Sequence, residues 1–349
     1  MIVQMAQPRK FARCLVIAFL IFPSDSSSQS ARDYERAMAD FRAGNYSSAA
    51  ETFAKVEAAS PGATDALLFE GKCLVHLEKF TDAEGALGGY VGRHPDSDDA
   101  LYLLGFVLYR QNKSRESLET LTKAAARQPP TGDDLKIVGI DYVLLHDYDD
   151  AIKWLEKAVQ LDPKNKEAWY YLGRAHYTEM NVPDARKAFL AVLRLDPRDA
   201  RAENNLGLIF ESEAKLDEAL DAYGKAIEWQ QQSLRPSEQP YVNLGNLLME
   251  QGRTEEAIPH LQKAVALAAN NAYCHLKLGQ GYLRVHRLEE ARRELERATE
   301  LGPEDPAAHY QLGKLYQQIH DLARAKAEFD RTMALQSHAN KPTPPPPRQ

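Results

Sequence analysis

Three histidines, His146, His286 and His320, and two cysteines, Cys73 and Cys274, are the side chains of this sequence most suited to metal or nucleophile chemistry. A metal site needs donors that converge on one point. His286 and His320 are 34 residues apart and His146 lies 140 before His286, so each reads as the same local position in a different structural unit. They are read as turn residues. The two cysteines stand 201 residues apart, too far to suggest a short-loop disulfide framework, and are read as buried, inert thiols. No Gly-rich phosphate loop, His-Glu-x-x-His helix or Gly-x-Ser-x-Gly elbow occurs. Carboxylates are numerous but scattered, as on solvated helix faces. No catalytic residue, metal or cofactor is therefore called for.

The remaining chemistry is recognition. Side-chain amides donate and accept at once, which suits the backbone of another chain, and tyrosines offer rigid rings with a polar tip. Asn204, Asn205, Asn243, Asn246, Gln280 and Gln311 supply the amides, with Arg174, Lys277 and Lys314 as cations. Tyr34, Tyr102, Tyr170 and Tyr310 supply the rings.

What must position them is a repeat. Gly71, Gly105, Gly139, Gly173 and Gly207 follow one another at intervals of 34, as do Gly245, Gly279 and Gly313. Only the step from Gly207 to Gly245, of 38, breaks the rule. Twelve residues after each glycine stands a small residue, Ala83 to Ala325 with Ser117 once, and four later a large one such as Leu87, Phe189 or Tyr223. Apolar residues three and four apart mark helices, so each unit reads as two helices joined by a turn. The glycine admits the large residue of the second helix, and stacking of units buries a core that no single hairpin could. Pro61, Pro95, Pro129, Pro163, Pro197 and Pro303 fall where second helices should stop. Asn165 and Asp305 suit helix N-caps, and Gly44, Asn112, His146, Gly252, His286 and His320 suit a left-handed turn inside the hairpin.

This period, with its Leu-Gly pairs, alanines, aromatics and terminal prolines, resembles the tetratricopeptide repeat, most closely over Trp169 to Pro197. Nine units follow, starting near residues 30, 64, 98, 132, 166, 200, 238, 272 and 306. The resemblance implies an all-α, right-handed superhelical solenoid spanning 30–339, with a groove lined by first helices that holds an extended peptide or another chain's helix. The second, fifth, sixth, ninth and twelfth places of each unit are expected to face it. Its front half reads apolar, through Leu68, Phe106 and Ile140, and its rear half polar. Asn205, Asn243, Lys277 and Gln311 share the sixth place of successive units and are expected to form a polar ladder. That ladder is similar to the asparagine ladder of O-linked N-acetylglucosamine transferases, whose catalytic domain has no counterpart here. No unit carries the Lys and Asn pair, at the fifth and ninth places, of the chaperone-tail clamp. The four residues added between Trp229 and Pro236 equal about one helical turn and are expected to lengthen a second helix. Met333 and Leu335 are expected to be partly exposed on the last hairpin.

Outside the repeats, Arg9, Lys10 and Arg13 precede an apolar run from Cys14 to Phe22, with small residues before Ala31. This is the layout of a signal peptide over 1–29, or of an uncleaved membrane anchor. The run is too short for a stable span, so no membrane insertion is expected after cleavage and the chain is expected to be exported, periplasmic or extracellular. Residues 340–349 form a proline-rich tail expected to be extended and mobile. With 44% hydrophobic residues the chain can bury a core, and a net charge of −7 without a basic aromatic patch argues against nucleic acid. The function expected is that of a noncatalytic scaffold for proteins or peptides that assists assembly of an exported or envelope complex. The alternatives are an accessory subunit of an envelope enzyme or secretion system, and a structural protein that self-associates through its C-terminal repeat.

Overall fold

The structure, a computed structural model, describes residues 25–62 and 64–339. Of the segment 1–29 expected to be a signal peptide or anchor, residues 1–24 lie outside the described residues, as does the tail 340–349, while residues 25–29 belong to the first helix. Eighteen helices and no strand occur among those described. The chain divides into two compact units, Met1–Ala191 and Val192–Gln349.

In the first unit helices pair in sequence: α1 (Asp25–Arg42) with α2 (Tyr46–Ala59), α3 (Ala66–His76) with α4 (Phe80–Arg93), and α5 (Asp98–Arg110) with α6 (Ser114–Ala125). Next come α7 (Gly132–Leu144) with α8 (Tyr148–Leu161), then α9 (Lys166–Thr178) and α10 (Val182–Leu195), within which the unit ends. The second unit holds four further pairs. They are α11 (Ala200–Ser212) and α12 (Leu216–Trp229), α13 (Gln239–Glu250) and α14 (Thr254–Leu267), α15 (Ala272–Arg284) and α16 (Leu288–Leu301), and α17 (Pro306–Gln318) and α18 (Leu322–Ala339).

The apolar stripe of each second helix explains why it folds as it does. Helix α8 buries Ala151, Leu155, Ala158 and Val159, and α16 buries Ala291, Leu295 and Ala298, at helical spacing. Each fully buried leucine of this kind contributes roughly 1.5–3 kcal/mol. The repeated glycine makes room for it. A Cβ on Gly139 would sit 2.5 Å from Leu155 Cγ, and one on Gly173 would sit 2.7 Å from Phe189 Cε1. Where the small residue is Ser117, its hydroxyl donates to the Gly105 carbonyl at 3.0 Å, so the polar atom is satisfied inside the contact.

Helix ends follow the sequence. Thr131 forms a capping box with Asp134, and Asn165, Asp199, Asn271 and Asp305 each accept from a backbone N–H of the helix that follows. Inside every hairpin one residue has positive φ: Gly44, Glu78, Asn112, His146, Met180, Ala214, Gly252, His286 and His320. Glu78, Met180 and Ala214 were not foreseen there from their residue types. The closing hydrogen bonds compel them, as at Lys113 N–H to Leu108 O (3.0 Å) and Asn112 N–H to Tyr109 O (2.9 Å).

Two expectations are corrected. The four added residues do not lengthen a helix: α12 has 14 residues, as do α14 and α16. They form a loop whose base is clamped by Gln230, which accepts from Ser237 N–H at 2.8 Å and donates Nε2–H to Ser237 O at 2.9 Å. That paired amide replaces backbone bonds that a further turn would have made. Of the last hairpin's two apolar residues Met333 is exposed, but Leu335 is buried.

Candidate binding surfaces on the first helices

The expected groove residues separate by place within the repeat. At the fifth place Leu68, Tyr102, Tyr170 and Asn204 are all buried. Tyr102 donates its hydroxyl to the Gln128 carbonyl, and Tyr170 packs edge-on against Phe189 at 6.1 Å between centroids. Half-buried Tyr34 lies between Phe53 (5.6 Å) and Phe69 (6.5 Å). Burial, with Asp65 beside it, pushes its phenol up to about 12. The structure therefore places Tyr102 and Tyr170 in the core instead of on an open groove. The fifth place packs mainly against the second helix of its own hairpin, whereas the spacing places it on the groove. Tyr310, on α17 of the last described pair, is 47% exposed. Phe106 is half-buried and Ile140 is buried, so the apolar front half offers little open surface.

The sixth and ninth places are the open ones in the second unit. Asn205, Asn243, Asn246, Lys277, Gln280, Gln311 and Lys314 are all half-buried. Arg174, in the first unit, is exposed. The sixth-place side chains do not form one continuous ladder. Asn205 turns back to donate to the Arg201 carbonyl of its own helix at 2.7 Å, and Asn243 donates instead to buried Asn204 Oδ1 at 2.9 Å. Lys314 Nζ stands 5.8 Å from the Tyr310 ring centroid.

Around Asn243 the first helices α11, α13 and α15 frame a half-open cavity of about 300 Å³, lined by Asn204, Asn243, Asn271, Tyr273 and Cys274 among others. Asn271 both caps α15 through Tyr273 N–H (3.0 Å) and donates to Glu238 at 3.2 Å. At the rim Tyr273 is 48% exposed. Its hydroxyl accepts from Asn246 Nδ2 at 3.2 Å, and Lys277 Nζ lies 5.0 Å from its ring centroid. Asn246 Oδ1 is buried without a hydrogen-bond partner among the described residues. An acceptor left so is costly. Cys274 is kept a neutral thiol: burial, then Glu238, pushes it up to about 11.

Tyr273 was missed by the reading from sequence. It occupies the second place, which the spacing rule did assign to the groove, so the signal was present and went unread. His146, His286 and His320 sit in the hairpin turns with left-handed backbone, and no metal-ligand cluster occurs among the described residues.

The hairpins, their glycine notches and their 34-residue register now stand on their own. Models of the tetratricopeptide repeat match residues 34–88 and 74–132, 142–207 and 248–310, and 200–233, which together take in most of the chain. The chain belongs to the tetratricopeptide-repeat family. No curated protein matches its sequence. Among solved structures, this tetratricopeptide-repeat protein is similar to the APC/C hetero-tetramer Cut9–Hcn1, at 17% identity and TM-score 0.58 over 91% of this chain. It spans 62% of the length of that chain. A tetratricopeptide repeat protein from Parabacteroides merdae matches at 19% identity and TM-score 0.58, over 72% of this chain and 97% of the other. PilW, described as a widely conserved type IV pilus biogenesis factor, matches at 18% identity and TM-score 0.53, over 60% of this chain and 98% of the other. At these identities the likeness shows the fold. No described helix is long and apolar enough to cross a membrane.

Proposed function

We infer that this protein is a noncatalytic scaffold that holds an extended segment of another protein on the first-helix face of its second unit. The observation that carries the reading is the cavity framed by α11, α13 and α15. Its lining combines Asn243 and Asn271 with half-exposed Tyr273, which Asn246 and Lys277 contact from beside the cavity. An extended backbone presents alternating donors and acceptors that amides can meet without reading sequence, and Tyr273 supplies a rigid apolar contact. The basic and apolar start of the chain supports export, and with it a role in assembling an envelope complex.

Selection of a random-peptide display library on the full chain tests the binding reading. Enriched peptides should lose at least tenfold in affinity for a variant with Asn243, Asn246 and Tyr273 changed to Ala. No enrichment, or enrichment of the same peptides at unchanged affinity on that variant, refutes it. A second reading, self-association through the last described pair, is favoured by exposed Tyr310, Leu322 and Met333. Light scattering that finds a monomer at all concentrations removes it.

A further inference from the structure

Repeats eight and nine each bury a tyrosine at the eleventh place of the first helix, and each anchors its hydroxyl on the preceding second helix. Tyr282 accepts from Gln262 Nε2 at 2.8 Å, and Tyr316 donates to Glu296 at 3.0 Å. In both cases the anchor lies twenty residues before the tyrosine, in equivalent register. Before the fifth repeat the anchor is retained as Glu156 on α8, but twenty residues later the tyrosine is replaced by His176.

The imidazole does not fill the slot. His176 is buried, with Nδ1 3.5 Å from Asn181 Nδ2 at the hairpin turn. A second shortening widens the gap. Where Glu294 and Glu328 reach His275 (2.7 Å) and His309 (2.6 Å) in repeats eight and nine, the fifth repeat has Ala188 facing Trp169. Trp169 itself keeps the local pattern. Its indole N–H donates to the Pro163 carbonyl at 3.0 Å, as His275 and His309 contact the carbonyls of Ala269 and Pro303. The outcome is a half-open cavity of about 250 Å³ between α8, α9 and α10, lined by Glu156, Trp169, Leu172, His176, Lys187 and Ala188 among others. It falls below the range typical of drug-sized ligands and suits a single side chain.

We propose that this cavity is a socket for a tyrosine side chain presented by a partner protein, which supplies from outside the phenol that repeats eight and nine supply from within. Trp169 and Leu172 receive the ring. Glu156 accepts from the hydroxyl as Glu296 does from Tyr316, and Lys187 donates to the phenolic oxygen. The socket lies in the first unit, between second helices, and does not depend on the first-helix site of the second unit; either can fail alone.

The test follows the Trp169 indole resonance of the full chain during titration with p-cresol, toluene and the blocked tripeptide Gly-Tyr-Gly. Saturable shifts with p-cresol and the tripeptide, at least fivefold tighter than with toluene, are expected. His176→Tyr fills the socket from within and should abolish both. Glu156→Ala, on the surface-facing wall, should fold regardless and should erase the preference for p-cresol over toluene. The proposal is overturned if p-cresol gives no saturable shift, if Glu156→Ala leaves the preference intact, or if folded His176→Tyr binds as the parent does. Binding of p-cresol without the tripeptide would mark a small-phenol site and equally overturn the side-chain assignment.

Discussion

Replacing Asp141 with valine should stabilise this protein by about 3 kcal/mol at neutral pH. Asp141 occupies the tenth place of α7 and is completely buried, where other repeats bury Cys73, Val107, Ala175, Ile209, Leu247 and Leu315. Neither carboxylate oxygen has a well-formed hydrogen bond among the described residues. Burial raises its carboxyl from 3.8 to about 6, and the Ser117 and Ser114 hydroxyls pull it only part of the way back. The folded chain therefore holds the Asp141 proton more tightly than the unfolded chain does. Below about pH 4 both states are protonated and nothing is lost. As pH rises from 4 through 6 the unfolded state ionises first and stability falls; above 6 the loss is complete. A difference of about two pKa units corresponds to about 3 kcal/mol. Urea unfolding of the parent and Asp141→Val, followed by circular dichroism at pH 4.5 and 7.5, measures it. The gap between the two proteins should widen with pH, together with protection of α7 amides from hydrogen exchange. A gap independent of pH, or a valine variant less stable at pH 7.5, refutes the reasoning.

Other substitutions probe the repeat itself. Gly207→Ala drives a methyl into the ring of Tyr223, which is fully buried and anchored to Glu211 at 2.8 Å, so a loss of roughly 1–3 kcal/mol in denaturant unfolding is expected. Ala214→Gly relieves left-handed backbone at φ 58 and should raise stability by roughly 0.5–1 kcal/mol, whereas the same change at α-helical Ala219 should lower it. Cys73 and Cys274 are completely buried, and burial pushes their thiols up to about 12 and about 11. Both should resist a thiol reagent in the native protein and react in denaturant. Gln230→Ala releases the base of the inserted loop and should speed proteolytic cleavage between residues 231 and 237 at least several-fold.

The hairpins were legible in the sequence because their determinants are local and recur. A glycine that must admit a large side chain, a cap before several first helices and a proline after many second helices repeat often enough to be counted. The four-residue insertion was misread because its length matches a helical turn, whereas its conformation is set by one glutamine bonding seven residues along the chain. Solvent exposure on the first helices was legible in part. In the second unit the polar sixth and ninth places are half-buried, whereas ninth-place Ile140 is buried, and only packing between helices reveals that fifth-place Tyr102 and Tyr170 belong to the core. Asp141 and His176 were both readable as departures from the residues at equivalent places. What they do depends on the cavity or the buried carboxylate that results, which no single repeat displays.

The central claim is that ligand segments lie on the first-helix face of the second unit. A photo-crosslinking amino acid placed at Gln280, on that face, and separately at exposed Lys263 on α14 addresses it directly. With a library-selected peptide, crosslinks are expected from position 280 and not from 263, and unlabelled peptide should compete them away. Crosslinks from 263 alone, or equal yields from both positions, would contradict the claim.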